Sequence, residues 1–225
     1  MDEKRSLFIT IEGGEGTGKT TLIQRLLDSL LTSGLDVVAT REPGGTKLGE
    51  KIREWVLNQD ANVAICDYAE LMLFLAARTQ HIDELIEPAL SSGKVVLCDR
   101  FNDSTIAYQG AARGLGVDAV KQQCELACHG VLPDLTLFLD VDVEIGIERT
   151  KKTAKDTAQQ GAIDRIESEE MNFHRTVRKA MQDLASDDPK RIVTIDASLP
   201  LEVVYQKAID VVMGKLNEKM KGSDV

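Results

Sequence analysis

Five short apolar runs constrain this chain more than any other feature: residues 7–12 (LFITIE), 36–41 (DVVATR), 94–99 (KVVLCD), 135–140 (LTLFLD) and 191–196 (RIVTID). Each is nearly continuous in Val, Ile, Leu, Phe or Thr rather than alternating, as in parallel strands buried on both faces of a sheet. Helical patterns fill the intervals, near 19–33, 46–58, 67–91, 117–128, 143–153, 167–186 and 200–220. The alternation predicts an α/β fold, a five-stranded parallel sheet flanked by helices in three layers. With 225 residues, 43% of them hydrophobic, the chain is long enough to bury that core as a single domain, 1–225.

Composition narrows the function classes. No stretch approaches the roughly 18 uninterrupted apolar residues of a membrane span, and the charged start MDEKRS lacks the apolar centre of a leader peptide, so a cytoplasmic protein without membrane attachment is expected. A formal charge of −10 argues against a nonspecific grip on nucleic acid, so any anion must be held locally. Basic residues gather around Arg41, Arg78, Arg100 and Arg113 and from Arg149 to Lys155, which suits a small phosphorylated ligand better than a polymer. Cys66, Cys98, Cys124 and Cys128 have no paired metal-ligand spacing and read as reduced, packed thiols. The polar stretch 150–162, TKKTAKDTAQQGA, reads as a mobile surface flap or as an extended helix end, and the tail 217–225 reads as frayed.

The segment GGEGTGKT (13–20) follows the first strand and opens the first helix, which is the context that gives a G-x-x-x-x-G-K-[ST] pattern its meaning. Glycines let backbone N–H groups turn inward toward an anion, and the helix N-terminus adds partial positive charge. Gly13, Gly14, Glu15, Gly16, Thr17, Gly18, Lys19, Thr20 and Thr21 are therefore the expected ATP cradle, with Lys19 on the β and γ phosphates and the Thr20 hydroxyl on Mg²⁺. The pattern establishes nucleotide binding without choosing among kinase, switch and motor.

The features that choose lie at the carboxyl ends of the other strands, where an open α/β sheet has its ligand crevice. TREPGG (40–45) follows the second strand and CDRFNDSTIAYQGAARG (98–114) follows the third. Asp99 can hold Mg²⁺ through water and Arg100 can grip a phosphate with its planar fork; the alternative is a local Asp–Arg salt bridge. Arg41 and Arg113 belong to similar strand-end loops, and several arginines beside a triphosphate suggest a second phosphorylated substrate. Phe74 and Arg78 stand four apart on one helix face, where a ring could stack a base and a guanidinium could bond its edge; otherwise Phe74 is core and Arg78 solvated surface. Arg78 ends the apolar run LMLFLAAR and must find a partner or emerge into a cavity.

Taken together, IEGGEGTGKTT, TREPGGT, LFLAAR, DRFNDSTIAYQG, PDLTLFLDV, DRIE and IDAS, spread over essentially the whole chain, resemble the thymidylate kinase family. Glu15-Gly16 in the phosphate loop resembles the bacterial subgroup, whose catalytic arginines lie in a lid. The resemblance implies a P-loop nucleoside monophosphate kinase with a mobile lid at about 149–165, phosphorylating dTMP to dTDP with Mg²⁺-ATP in dTTP synthesis, and a homodimer. It also implies residue roles. Phe74 stacks on thymine and Arg78 bonds its O4 edge. Arg41 and Arg100 bind the dTMP phosphate, and Glu15 accepts from the sugar 3′-OH. Tyr108 lies against the 2′ carbon, Thr105 and Gln109 approach the pyrimidine edge, and Ala197 and Ser198 lie near adenine. The chain departs from the family in the lid, where fourteen residues separate Arg149 from Asp164 and lysines occupy 151, 152 and 155. Arg149 and Arg165 align with the two ends, and one of them is expected to join Lys19 and Arg100 as a catalytic cation.

A phosphate monoester with its second ionisation at about 6 needs no general base to attack, so positioning and charge stabilisation are expected to carry catalysis. A GTPase switch is disfavoured, because the third strand ends in Asp-Arg rather than Asp-x-x-Gly and there is no Asn-Lys-x-Asp, TAKD (153–156) being a near miss. A kinase for AMP, GMP or CMP is the nearer rival, and the Phe74–Arg78 face favours a stacked pyrimidine.

Overall fold

A computed structural model of the chain describes residues 6–57, 64–156, 165–166 and 169–221. Five strands, β1 (Leu7–Gly13), β2 (Val37–Arg41), β3 (Val95–Asp99), β4 (Leu135–Asp140) and β5 (Ile192–Asp196), form one parallel sheet in the order β2-β3-β1-β4-β5. Central β1 is buried at every position, as its unbroken apolar run predicts, whereas edge strands β2 and β5 are only partly buried. The register brings the carboxyl ends level: Ile11 pairs with Asp99, Gly13 with Leu139, and Arg41 with Asp99. Because the chain runs from β1 outward to β2 on one side and later to β4 on the other, the crevice opens at the end of β1.

Helices cover both faces. On one, α1 (Lys19–Thr32) and α9 (Leu201–Lys221) lay Leu22, Leu26, Leu30, Ala208, Val212 and Leu216 against Ile9, Leu97 and Leu137. Each buried leucine contributes about 2 kcal/mol. The other face carries α2 (Lys47–Leu57), α3 (Asp67–His81), α4 (Glu87–Ser91), α5 (Asn102–Thr105), α6 (Val117–Cys128) and α8 (Met171–Asp187). Between β4 and α8 runs α7 (Val143–Asp156). It gives the polar stretch from 150 an extended helix end as far as 156; residues 157–164 lie outside the described ones.

Four local expectations change. The predicted helix over 67–91 contains a π-helical turn at Ile82–Ile86, just before Pro88, which has no N–H for the ladder. The segment after β3 is helical rather than loop: α5 continues into a second π-helical turn, Ile106–Ala112. The tail is helical through Lys221, because Lys219 Nζ donates to Ser6 O (3.0 Å) and Asp134 Oδ2 (2.8 Å) and ties it to the sheet. Of the four cysteines, all free, Cys66 is exposed rather than packed, at the residue that precedes α3.

Candidate active site

The phosphate loop joins β1 to α1 as the sequence predicts. Gly16 (φ +64°) and Gly18 (φ +88°) take left-handed conformations that glycine adopts without strain. Gly16 has a second reason to lack a side chain. A Cβ there would lie 2.0 Å from the carbonyl oxygen of Gly146 in α7, and a Cβ on Gly146 would lie 2.3 Å from Glu15 O. A glycine pair thus lets the loop rest directly on the α7 backbone. Lys19 Nζ donates to Gly13 O (2.9 Å) and Gly14 O (2.8 Å), and Thr17 Oγ1 donates to Gly14 O (3.0 Å). Burial and the neighbouring Arg100 guanidinium push the Lys19 amine down to about 8.

A cleft of about 780 Å³ opens over this loop, walled by residues 15–21, Arg149, Lys152 and the segment 197–201. Ala197 and Ser198 stand in that wall, and Arg149 joins them by donating to Ala197 O (2.8 Å) and Ser198 O (3.4 Å).

A second cavity, about 260 Å³, lies on the β3 side. Phe74, Arg78, Thr105, Tyr108 and Gln109 line it together with Glu42, Arg53, Asp99, Arg100 and Ser104. Arg78 is no solvated surface residue. It is 1% exposed, and its Nε donates to Glu42 Oε2 (2.7 Å), one Nη to Thr105 Oγ1 (2.9 Å) and the other to Cys124 Sγ (3.5 Å). Its guanidinium lies 4.8 Å from the Phe101 ring centroid. Glu42 also pairs with His81 Nδ1 (3.0 Å), so the acid that orients Arg78 is itself oriented. Arg100 sits at φ +68°, rare for a residue with a side chain. Its guanidinium reaches Ser104 Oγ (3.1 Å) and Glu15 Oε1 (3.3 Å) and lies 5.2 Å from the Tyr108 ring centroid.

Asp99 Oδ1 is buried in the same wall without a hydrogen-bond partner. An orphaned carboxylate oxygen near Lys19 and Thr20 fits a cation or its water shell. Among the described residues no three acidic, His or Cys side chains cluster as a metal cage.

Arg149 and Arg165 dock at different places. Whereas Arg149 stands at the larger cleft, Arg165 is ion-paired with Glu70 and donates from Nε to Val56 O (3.1 Å). Glu70 also accepts from Gln109 Nε2 (2.7 Å) and Arg113 Nε (3.3 Å). Arg113 therefore serves this network, with its other side on Glu169 Oε1 (2.5 Å).

Arg41 ends β2 opposite Asp99, but its guanidinium is turned onto Glu50 (2.9 and 3.0 Å) outside the crevice wall. Arg53 of α2 stands in the wall instead and donates to Pro43 O (3.0 Å). Arg53 carries a readable signal, three residues from buried Val56 on the inner side of α2. For Glu42, Glu70 and Gly146 the linear sequence offers none, because these partners are at least 36 positions away.

The thymidylate kinase family profile matches residues 11–208. The thymidylate kinase of Protochlamydia amoebophila is 56% identical over 206 residues, 92% of each chain. That of Oceanobacillus iheyensis is 44% identical over 97% of this chain and 94% of its own. The crystal structure of thymidylate kinase from Ehrlichia chaffeensis superposes with a TM-score of 0.72 at 34% identity, covering 92% of this chain and 98% of the other. With a P-loop cradle, an arginine-lined second crevice and this match over most of its length, the chain belongs to the thymidylate kinase family, in its bacterial form.

Proposed function

We infer that this phosphotransferase, which phosphorylates dTMP to dTDP with ATP in dTTP synthesis, holds ATP in the larger cleft and dTMP in the smaller crevice. One observation carries the reading: Glu15, Lys19 and Thr20 line both cavities, so donor and acceptor phosphates meet over Lys19. In this reading residues 13–21 cradle the ATP phosphates, and Ala197 and Ser198 lie beside adenine. Phe74 stacks on thymine. Arg78 donates to its O4 edge with N–H groups that Glu42, Thr105 and Cys124 leave over, three of five being engaged. Thr105 and Gln109 border the pyrimidine, Tyr108 closes the space at the 2′ carbon, and Glu15 accepts from the 3′-OH. Arg100 and Arg53 hold the dTMP phosphate, and Arg41 reaches it only by leaving Glu50.

The acceptor phosphate attacks as a dianion, so catalysis rests on in-line placement and on cations fixed around the transferred group. Lys19 and Arg100 supply two. Arg149 supplies the lid's cation, because its guanidinium already stands in the donor wall, while Arg165 latches the lid to Glu70. Mg²⁺ bound with ATP would neutralise phosphate charge, held by Asp99 and Thr20. The chain works as one kinase unit in the cytoplasm. Its homodimer forms through α2 and α3, which expose the large apolar side chains Trp55, Tyr68 and Met72.

The test is ADP formation from Mg-ATP with dTMP, dUMP, dCMP, AMP, GMP or no acceptor. Turnover that requires dTMP, with dUMP weaker and purines silent, is expected. ADP formation independent of the acceptor would leave a nucleotide cradle without a kinase.

A further inference from the structure

Glu12 is a wholly buried carboxylate one residue before the phosphate loop's first glycine, and phosphoryl transfer as described above makes no use of it. It faces α5 rather than either cavity. Its Oε1 accepts from Phe101 N (2.8 Å) and Ser104 N (3.3 Å), and its Oε2 accepts from Ser104 Oγ (2.5 Å). Buried charge of this kind is costly, and an apolar side chain of similar size often serves stability as well. Burial and the neighbouring Asp103 push the Glu12 carboxyl up to about 7, against the donors that hold it. Asp103 itself is turned away, paired with Arg191 (2.7 and 2.9 Å).

The bonds that Glu12 makes enclose one residue. Arg100 N donates to Ile11 O (3.0 Å), and the next amide, Phe101 N, donates to the Glu12 side chain. Two successive amides are thus fastened to two successive residues of β1, and Arg100, which directly follows β3, is held at φ +68°. Such a conformation is strained for a residue with a side chain and persists only where its surroundings over-determine it. A second route runs through side chains: Ser104 Oγ donates to Glu12 and accepts from Arg100 Nη1 (3.1 Å). Backbone and guanidinium of Arg100 are therefore both tied to one buried carboxylate.

We propose that Glu12 is a positioning residue for the acceptor phosphate, holding Arg100 in the strained conformation that aims its guanidinium into the acceptor crevice. The proposal rests on the reading of Arg100 as a phosphate ligand. It is distinct from a cap that merely stabilises α5, because it predicts a selective effect on one substrate.

Steady-state kinetics on the full chain decide it, with Glu12→Gln, Arg100→Ala and the double variant. Glu12→Gln keeps the shape but turns an amide donor toward donors, so the KM for dTMP is expected to rise about 10- to 100-fold while that for ATP stays within about twofold. In the Arg100→Ala background the same change is expected to add nothing, since residues acting through one another are not additive. Ser104→Ala cuts only the side-chain route and, should Glu12→Gln not fold, is expected to raise the dTMP KM in the same direction with the ATP KM unmoved. An unchanged dTMP KM in a folded Glu12→Gln or Ser104→Ala, or full additivity in the double variant, overturns the proposal. If Arg100→Ala itself leaves the dTMP KM unchanged, the reading of the crevice fails first and the proposal fails with it.

Discussion

The donor cleft and the acceptor crevice share the wall at Lys19 yet are built in opposite ways. The cleft opens over one continuous stretch, 15–21, whose turns are left open by glycines, with Arg149, Lys152 and the segment 197–201 as its other walls. The crevice is mostly side chains from distant elements, fixed by buried ion pairs such as Arg78–Glu42 (1% and 4% exposed). The ligands account for the difference. A triphosphate offers repeated anionic oxygens that any inward N–H serves, so local backbone suffices. One base edge and one monophosphate must be met at fixed points, and a long flexible cation is fixed only when a second residue holds it. On the proposed assignment of the crevice, specificity for the acceptor resides in residues that orient other residues.

Arg149→Ala is expected to lower turnover by about 10³ or more, as for an arginine that stabilises a transferring phosphoryl group, while Arg165→Ala has a smaller effect. Single-turnover phosphoryl transfer separates the two, and the reverse ranking would move the catalytic cation to the acceptor side. Gly146→Ala forces a Cβ to within 2.3 Å of Glu15 O. It is expected to weaken ATP binding about 10- to 100-fold through backbone displacement alone, measured by calorimetry. Unchanged affinity would mean that the loop does not depend on α7. Lys19, depressed to about 8, loses its charge as pH rises through that value, so kcat/KM for ATP in the free enzyme is expected to bend downward above pH 8. A profile flat to pH 9.5 would contradict that. Tyr108→Ala is expected to narrow the preference for dTMP over ribothymidine monophosphate by about tenfold, and equal discrimination would remove Tyr108 from sugar selection.

The same contrast explains what the sequence discloses. Parallel strands buried on both faces are continuous apolar runs, so the sheet is legible, and the phosphate loop is legible because its chemistry is contiguous. Arg78 was readable as a cation in need of a partner, since it closes an apolar helix, but nothing links it to Glu42, 36 positions away. Residues 102–105 look like loop because Asn, Asp, Ser and Thr are polar, yet all four are buried. Glu12 supplies the acceptors that make a helix possible there. The partner of Arg41 is hidden for a related reason: its strand-end position stands beside Asp99, and a carboxylate in the next helix holds its guanidinium.

Glu42→Gln tests the central claim most directly, because it keeps size and removes only the charge that orients Arg78. Paired dTMP and ATP titrations of the folded variant are expected to show dTMP affinity reduced about 30-fold or more, the scale of a broken buried charge pair, with ATP affinity within about twofold. Equal losses for both ligands, or an unchanged dTMP affinity, would contradict an acceptor site whose specificity is set by the residue behind the one that touches the base.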